Sequence, residues 1–166
     1  RSMLEPFSYR DFCSFVGEKF AGQPFADEKI SVPCVNPERT FLEKLFLLHE
    51  EFQRPPERIR VKGLSRHLYD IYQIWHTGYA QIALNSSELY RTLVEHRKRF
   101  TKLSGVNYAL HFPPHLNPLP PSHLMTAWEA DYKTMTQQMI YSRTLPFQDL
   151  IAGLKSVVDE INRLSF

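Results

Sequence analysis

From Phe147 to Leu164, apolar side chains return at every third or fourth position: Phe147, Leu150, Ile151, Leu154, Val157, Val158, Ile161 and Leu164. On a helix of 3.6 residues per turn these line one side, and that side leaves water only by lying against other helices. The same spacing recurs in Phe41, Leu45, Leu48 and Phe52, and again in Leu68, Ile71, Tyr72 and Trp75. A chain of 166 residues, 43% hydrophobic and 23% charged, can bury one sizeable core. We therefore expect a mainly α (α+β) fold, a helical bundle of about five helices with a small β element at its N-terminal end.

Local signals place the breaks. Asn36-Pro37 is a helix start, because Asn can cap free amides and Pro is pre-shaped for the first turn, and Pro55-Pro56 ends that helix. Ser65 is expected to cap the second helix, and Thr77-Gly78 to end it. Asn85 with Glu88 resembles a capping box for a third, whose seam would be Leu89, Leu93, His96, Phe100 and Leu103, with Gly105 as its stop. Residues 106–121 include PPHLNPLPP, too rigid and too poor in donors for a helix or central strand, and read as a stiff surface connection. Ser122 opens a fourth helix with Leu124, Trp128, Met135 and Met139 near one face, and Leu145-Pro146 opens the fifth. Upstream we expect a short helix near Asp11 to Phe20 and a strand near Lys29 to Val35. Residues 1–35 are thus set apart from a helical domain at 36–166 that carries the proline-rich connection at 106–121.

Several function classes lose support. A net charge of +2 gives no general attraction to nucleic acid or anionic membrane. Cys13 and Cys34 have no ligand or redox spacing, so neither a disulfide framework nor a zinc site is indicated, and a reducing, cytoplasmic setting is expected. No apolar run approaches the ~20 residues of a membrane span. The opening Arg1-Ser2-Met3, followed at once by Glu5-Pro6, reads as an excised piece of something longer, with a vector remnant before Met3 as the alternative.

Lys44 falls at the edge of the Phe41/Leu45/Leu48 stripe, close to Thr40 and Glu51. A lysine there can neutralise a phosphate in a cleft, or snorkel over apolar surface; the residues alone favour snorkelling. Arg66 and Asp70 are four apart on the second helix and can form a surface pair worth ~0.3 to 0.5 kcal/mol. The functional reading is that Asp70 orients a phosphate-binding cation or a nucleotide hydroxyl. His49-Glu50 begins like a zinc-protease motif, but position 53 is Gln where the second His is needed. His96 is expected on a helix seam, and His111, His115 and His123 border the proline stretch without ligand spacing. Arg97-Lys98-Arg99 with Lys102, and Arg54 with Arg58, Arg60 and Lys62, make two basic patches able to contact nucleic-acid phosphate or merely to solvate the surface. Glu129 and Asp131 diverge by about 200° on a helix and are not expected to share a magnesium ion. Neither G-x-x-x-x-G-K-[ST], G-x-G-x-x-G nor G-x-S-x-G occurs.

Taken in order, Pro37-ERTFLEKLFLLHEEF-Phe52 and Ser65-RHLYDIYQI-Ile74 resemble the AbiEii/AbiGii-type toxins, nucleotidyltransferase-like proteins of bacterial toxin–antitoxin or phage-abortive systems. Ala83-Leu84, Glu88-Leu89-Tyr90, His96-Arg97, Asp131-Tyr132, Met135 and Met139-Ile140-Tyr141 extend the likeness from about Val32 onward. In that family an N-terminal lobe carries a Gly-Ser turn and an Asp-x-Asp pair for magnesium; neither is present in this chain. A Lys in an E-K-L helix and an R-D-x-x-D helix map to Lys44 and to Arg66-His67-Leu68-Tyr69-Asp70, with His67 standing where the family has Asp.

The resemblance implies that residues 1–35 are the end of the α/β nucleotidyltransferase lobe. It also implies that Lys44 contacts nucleotide phosphates and that Asp70, with Arg66 and His67, completes the pocket. Mg2+ and an NTP are implied for the full-length family, with none expected on this fragment and no metal ligands among its own residues. The implied partners are a nucleotide, an RNA acceptor and a cognate antitoxin, with no membrane. We thus expect the C-terminal helical region of a nucleotidyltransferase-like toxin, inactive alone. The alternatives are a non-catalytic module that binds an antitoxin protein or RNA, and a structural domain whose charges only solvate it.

Overall fold

The computed structural model describes residues 5–165; the Arg1-Ser2-Met3 start lies outside them. The chain divides into two compact units, Arg1–Asn36 and Pro37–Phe166.

In the first unit, β1 (Phe7–Phe12) pairs antiparallel with β2 (Ile30–Val35), Phe7 opposite Val35 and Phe12 opposite Ile30. The strand expected near Lys29 is therefore present, while the helix expected from Asp11 shrinks to α1 (Phe15–Lys19) because Asp11 and Phe12 join the sheet. Ser14 caps α1, its Oγ accepting from the Gly17 amide at 3.0 Å, and the Asp27 carboxylate accepts from both the Ser14 amide and its hydroxyl. Those Ser14 hydrogen bonds hold the Asp27 carboxyl below its ordinary range.

The second unit contains α2 (Pro37–Phe52), α3 (Ser65–Trp75), α4 (Gly78–Asn85), α5 (Ser87–Phe100), α6 (Met125–Met139) and α7 (Phe147–Ile161). Helix α2 starts immediately after Asn36 and packs against α3, α4 and α5. Surrounded in this way, it buries Leu42, Phe46, His49 and Glu50 as well as the Phe41/Leu45/Leu48 stripe. Helix α7 packs on α3 through the face read from its spacing, with Phe147, Leu150, Leu154, Val157 and Ile161 buried. The two come so close that a Cβ on Gly153 would stand 2.6 Å from the Tyr72 ring.

Three local expectations change. Thr77 caps a further helix, α4, its Oγ1 accepting from Tyr79, so Thr77-Gly78 starts a helix as well as ending one. Ser86, not Asn85, caps α5, and the buried face of α5 is Tyr90, Leu93 and Val94, which turns Phe100 out to solvent. The proline-rich connection is not confined to the surface. His111, Leu116, Pro118 and Pro120 are buried, and the Asn162 side chain clamps both the amide and the carbonyl of Leu116. Short 3-10 turns at Tyr108–His111 and Ser122–Leu124 bracket that stretch, so α6 begins three residues after Ser122. No helix among the described residues is long and apolar enough to cross a membrane.

Candidate functional site

Helices α2 and α3 bring together three of the four side chains picked from the sequence. Lys44 Nζ stands 2.7 Å from Asp70 Oδ2 and 3.5 Å from His67 Nδ1. His67 and Asp70 are three apart on α3 and so share a face. Since an ammonium only donates, the His67 Nδ1 facing it must accept, which puts the ring proton on Nε2. Of the three Lys44 donors two are directed at α3, and the side chain keeps 22% of its surface exposed. The third can therefore reach an anion from solvent.

Asp70 was expected to pair with Arg66 along its own helix; its carboxylate pairs with Lys44 instead, and Arg66 is exposed. Arg66 still acts on the group through its charge. Burial, then repulsion from Lys44 and Arg66, lowers the His67 imidazole to about 4, against a smaller opposite effect of Asp70. The ring is thus neutral near pH 7 and can accept from Lys44.

Two turns beyond Lys44, on the same face of α2, lies the buried carboxylate of Glu51. It accepts from Arg60 Nη2 at 2.6 Å, Arg60 Nε at 3.0 Å, the Arg60 amide at 2.7 Å and Arg54 Nη1 at 3.1 Å. Burial pushes this carboxyl up, but the Arg60 and Arg54 hydrogen bonds outweigh it and hold the group below its ordinary range. Two members of the basic loop patch are therefore bound to one internal anion.

A separate polar cluster escaped sequence reasoning. Glu50, 1% exposed, receives Arg97 in a two-pronged pair, Nε to Oε1 and Nη2 to Oε2, both at 2.6 Å. His111 Nε2 lies 3.2 Å from the same Oε1, and the Tyr90 hydroxyl donates to the His111 carbonyl at 2.6 Å. The neighbouring His49 Nδ1 accepts from the Asn117 amide at 3.0 Å. Burial, and then repulsion from His111, lowers the His49 imidazole to about 4. This cluster ties α2, α5 and the proline-rich stretch together inside the unit, which suits it to holding the fold rather than to meeting a ligand. The available signal was the spacing Tyr90, Leu93, Val94, Arg97, which puts Arg97 on the buried face and not in a surface patch.

Asp131, the other half of the excluded magnesium pair, takes the part given to Ser65. Its carboxylate accepts from the Gly63 amide at 2.7 Å and the Ser65 amide at 3.1 Å, while Leu64 occupies the cap position with no side-chain cap of its own. Among the described residues no group of three or more His, Cys, Asp or Glu gathers as a metal site. Nor does the Lys44 group suit magnesium: its one carboxylate is paired with a cation, and the imidazole beside it is a poor ligand for a hard cation that takes oxygen.

A family model described as nucleotidyl transferase AbiEii toxin, type IV TA system, matches residues 1–153 of the chain. No curated protein and no solved structure matches it.

Proposed function

We propose, because this chain belongs to the AbiEii family of nucleotidyl transferase toxins of type IV toxin–antitoxin systems, that its helical region binds the phosphates of a nucleoside triphosphate through Lys44. The observation that carries this reading is the Lys44 ammonium, oriented from α3 by Asp70 and His67 with one donor left toward solvent. A surface lysine that only covers apolar area needs no such pair of partners.

In this reading Lys44 neutralises phosphate charge, Asp70 holds the ammonium in place, and the neutral His67 accepts from it without adding negative charge. Arg66, one turn from Asp70 and open to solvent, supplies a second cation. The reaction is nucleotidyl transfer: an acceptor hydroxyl on RNA or protein attacks the α-phosphorus, that P–O bond forms, and the bond to the departing pyrophosphate breaks. The Gly-Ser turn and Asp-x-Asp pair of the family do not occur in this sequence, so we read the chain by itself as inactive. No step is assigned to magnesium, which the Lys44 group does not suit. A cognate antitoxin is the proposed protein partner, in keeping with a type IV toxin–antitoxin family.

The alternative of a non-catalytic module that binds RNA through basic patches is weakened by the inward pairing of Arg54 and Arg97. Calorimetric titration with ATP, GTP, CTP and UTP decides between the readings. Saturable binding to the wild type, weakened at least tenfold in Lys44→Ala with the circular dichroism spectrum retained, is the expected result. Undiminished binding in a folded Lys44→Ala protein rejects the assignment.

A further inference from the structure

We propose that Arg60, anchored on the buried carboxylate of Glu51, is a further phosphate-binding group of the Lys44 site, so that the site is built for a polyphosphate chain rather than a single phosphate. The inference rests on the nucleotide reading above and names the part of the nucleotide that is held.

The geometry begins with Glu51. A carboxylate that is 1% exposed carries a desolvation cost of several kcal/mol, which only well-formed hydrogen bonds offset. Arg60 supplies three of them, from Nε, Nη2 and its own amide. An arginine held along one edge has its guanidinium plane fixed before any ligand arrives, and the Nη1 edge is left over. The side chain as a whole is 63% exposed, so that free edge is open to an anion from solvent. Arg54 shares the same carboxylate, so Glu51 does not cancel the Arg60 charge by itself.

Glu51 lies seven residues after Lys44, which on a helix is about 10.5 Å along the axis and nearly the same direction around it. The anchor of Arg60 is thereby set two turns from Lys44 along one face of α2. Burial first, and then the charges of Lys44, Arg66 and Arg60, oppose protonation of His67, while Asp70 favours it. Four cations, Lys44, Arg54, Arg60 and Arg66, therefore stand against two carboxylates, Asp70 and Glu51. His67 adds to the imbalance, since it is neutral where the family motif has an acidic residue. A ligand with several adjacent negative charges fits such a group; a lone phosphate would leave Arg60 without a partner outside the protein.

The test uses inorganic tripolyphosphate, pyrophosphate and orthophosphate as probes in calorimetric titrations at 0.15 M salt, with sulfate as the control for unspecific charge. The wild type should bind tripolyphosphate most tightly. Arg60→Ala should weaken tripolyphosphate at least tenfold while changing orthophosphate less than twofold, and Lys44→Ala should weaken all three. Because Arg60→Ala strips a partner from buried Glu51, Arg60→Lys is made in parallel. It keeps the charge beside Glu51 but loses the planar fork, and should weaken tripolyphosphate about threefold or more. If folded Arg60→Lys and Arg60→Ala both bind tripolyphosphate as the wild type does, the inference is overturned, and the Lys44 reading survives provided Lys44→Ala still loses binding. If Lys44→Ala binds as the wild type does, or the wild type binds none of the probes above the sulfate control, the nucleotide reading falls and the inference with it.

Discussion

The Lys44 ammonium meets the Asp70 carboxylate at 2.7 Å across the seam between α2 and α3, with both side chains still partly open to water. Exposure of this kind screens the attraction, and such pairs contribute ~0.2 to 1 kcal/mol. Lys44→Ala, Asp70→Ala and the double variant should therefore all fold, each losing less than about 1 kcal/mol in urea denaturation, with a coupling energy within the same range. Any larger loss of nucleotide binding then belongs to the site and not to the fold. A loss of stability above ~3 kcal/mol in either single variant would reassign the pair to a structural role.

The Glu50–Arg97 pair should behave in the opposite way. Both charges are largely withdrawn from water, with side-chain exposures of 1% and 15%, and Glu50 also faces the wholly buried His111. Removing one partner leaves an uncompensated buried charge, at a cost of roughly 3 to 5 kcal/mol. Arg97→Ala should thus lower the urea midpoint sharply or prevent folding, while Lys98→Ala, one position away and exposed, should stay within about 0.5 kcal/mol of the wild type. Equal effects of the two substitutions would contradict the buried network.

Stability should fall on mild acidification, because the folded chain holds the His49 and His67 imidazoles at about 4 while each returns to about 6.5 when unfolded. Between those values the unfolded chain binds protons that the folded chain refuses. Unfolding free energy therefore rises with pH through that window and is flat above it from this source. Each imidazole can contribute on the order of 3 kcal/mol over the full window. Glu50 and Glu51, whose carboxyls are held low, add their own loss only at still lower pH. Urea midpoints measured from pH 7.5 down to pH 4.5 should decline, and His67→Gln should remove part of the slope. A midpoint independent of pH across that range would show that neither imidazole is held neutral.

The helices were legible where their apolar spacing was local. Helices α2, α3 and α7 announce themselves because each carries its own stripe, although α2, packed against three helices, also buries Leu42, Phe46, His49 and Glu50 outside its stripe. What stayed hidden depended on partners far along the chain. β1 needs β2, whose Ile30 and Ser31 come 18 and 20 residues after Phe12 and Asp11, before those two can be extended. Arg97 reads as one of three adjacent surface cations, although its spacing from Tyr90, Leu93 and Val94 puts it on the buried face of α5, and its partner there, Glu50, lies 47 residues earlier. The candidate site follows the same rule. Lys44, His67 and Asp70 were identifiable as residues, but i, i+4 spacing assigned Asp70 to Arg66, and only the packing of α2 on α3 brings Lys44 to it instead. The start of α3 was misread for a related reason, since Ser65 has the right chemistry for a cap and yet the cap comes from another helix.

Asp131 on α6 accepts from the amides of Gly63 and Ser65, two donors at the start of α3 that have no partner within the helix, and Leu64 between them has no side-chain oxygen to offer. Loss of a helix cap costs ~0.5 to 2 kcal/mol, so Asp131→Ala should destabilise the helical unit by about that much, and Asp131→Asn, which keeps one acceptor, by less. The loss has a local signature besides the global one. Hydrogen exchange at the Gly63 and Ser65 amides should quicken in Asp131→Ala by more than at amides in the middle of α7, because the cap protects those two directly and α7 only through overall stability. A uniform increase across the chain would mean that Asp131 acts through packing, and unchanged exchange at Gly63 and Ser65 would mean that it does not cap α3. Since α3 carries Arg66, His67 and Asp70 in its first two turns, fraying there should also loosen the hold on Lys44 and weaken phosphate binding in the same variant, although Asp131 itself makes no contact with Lys44.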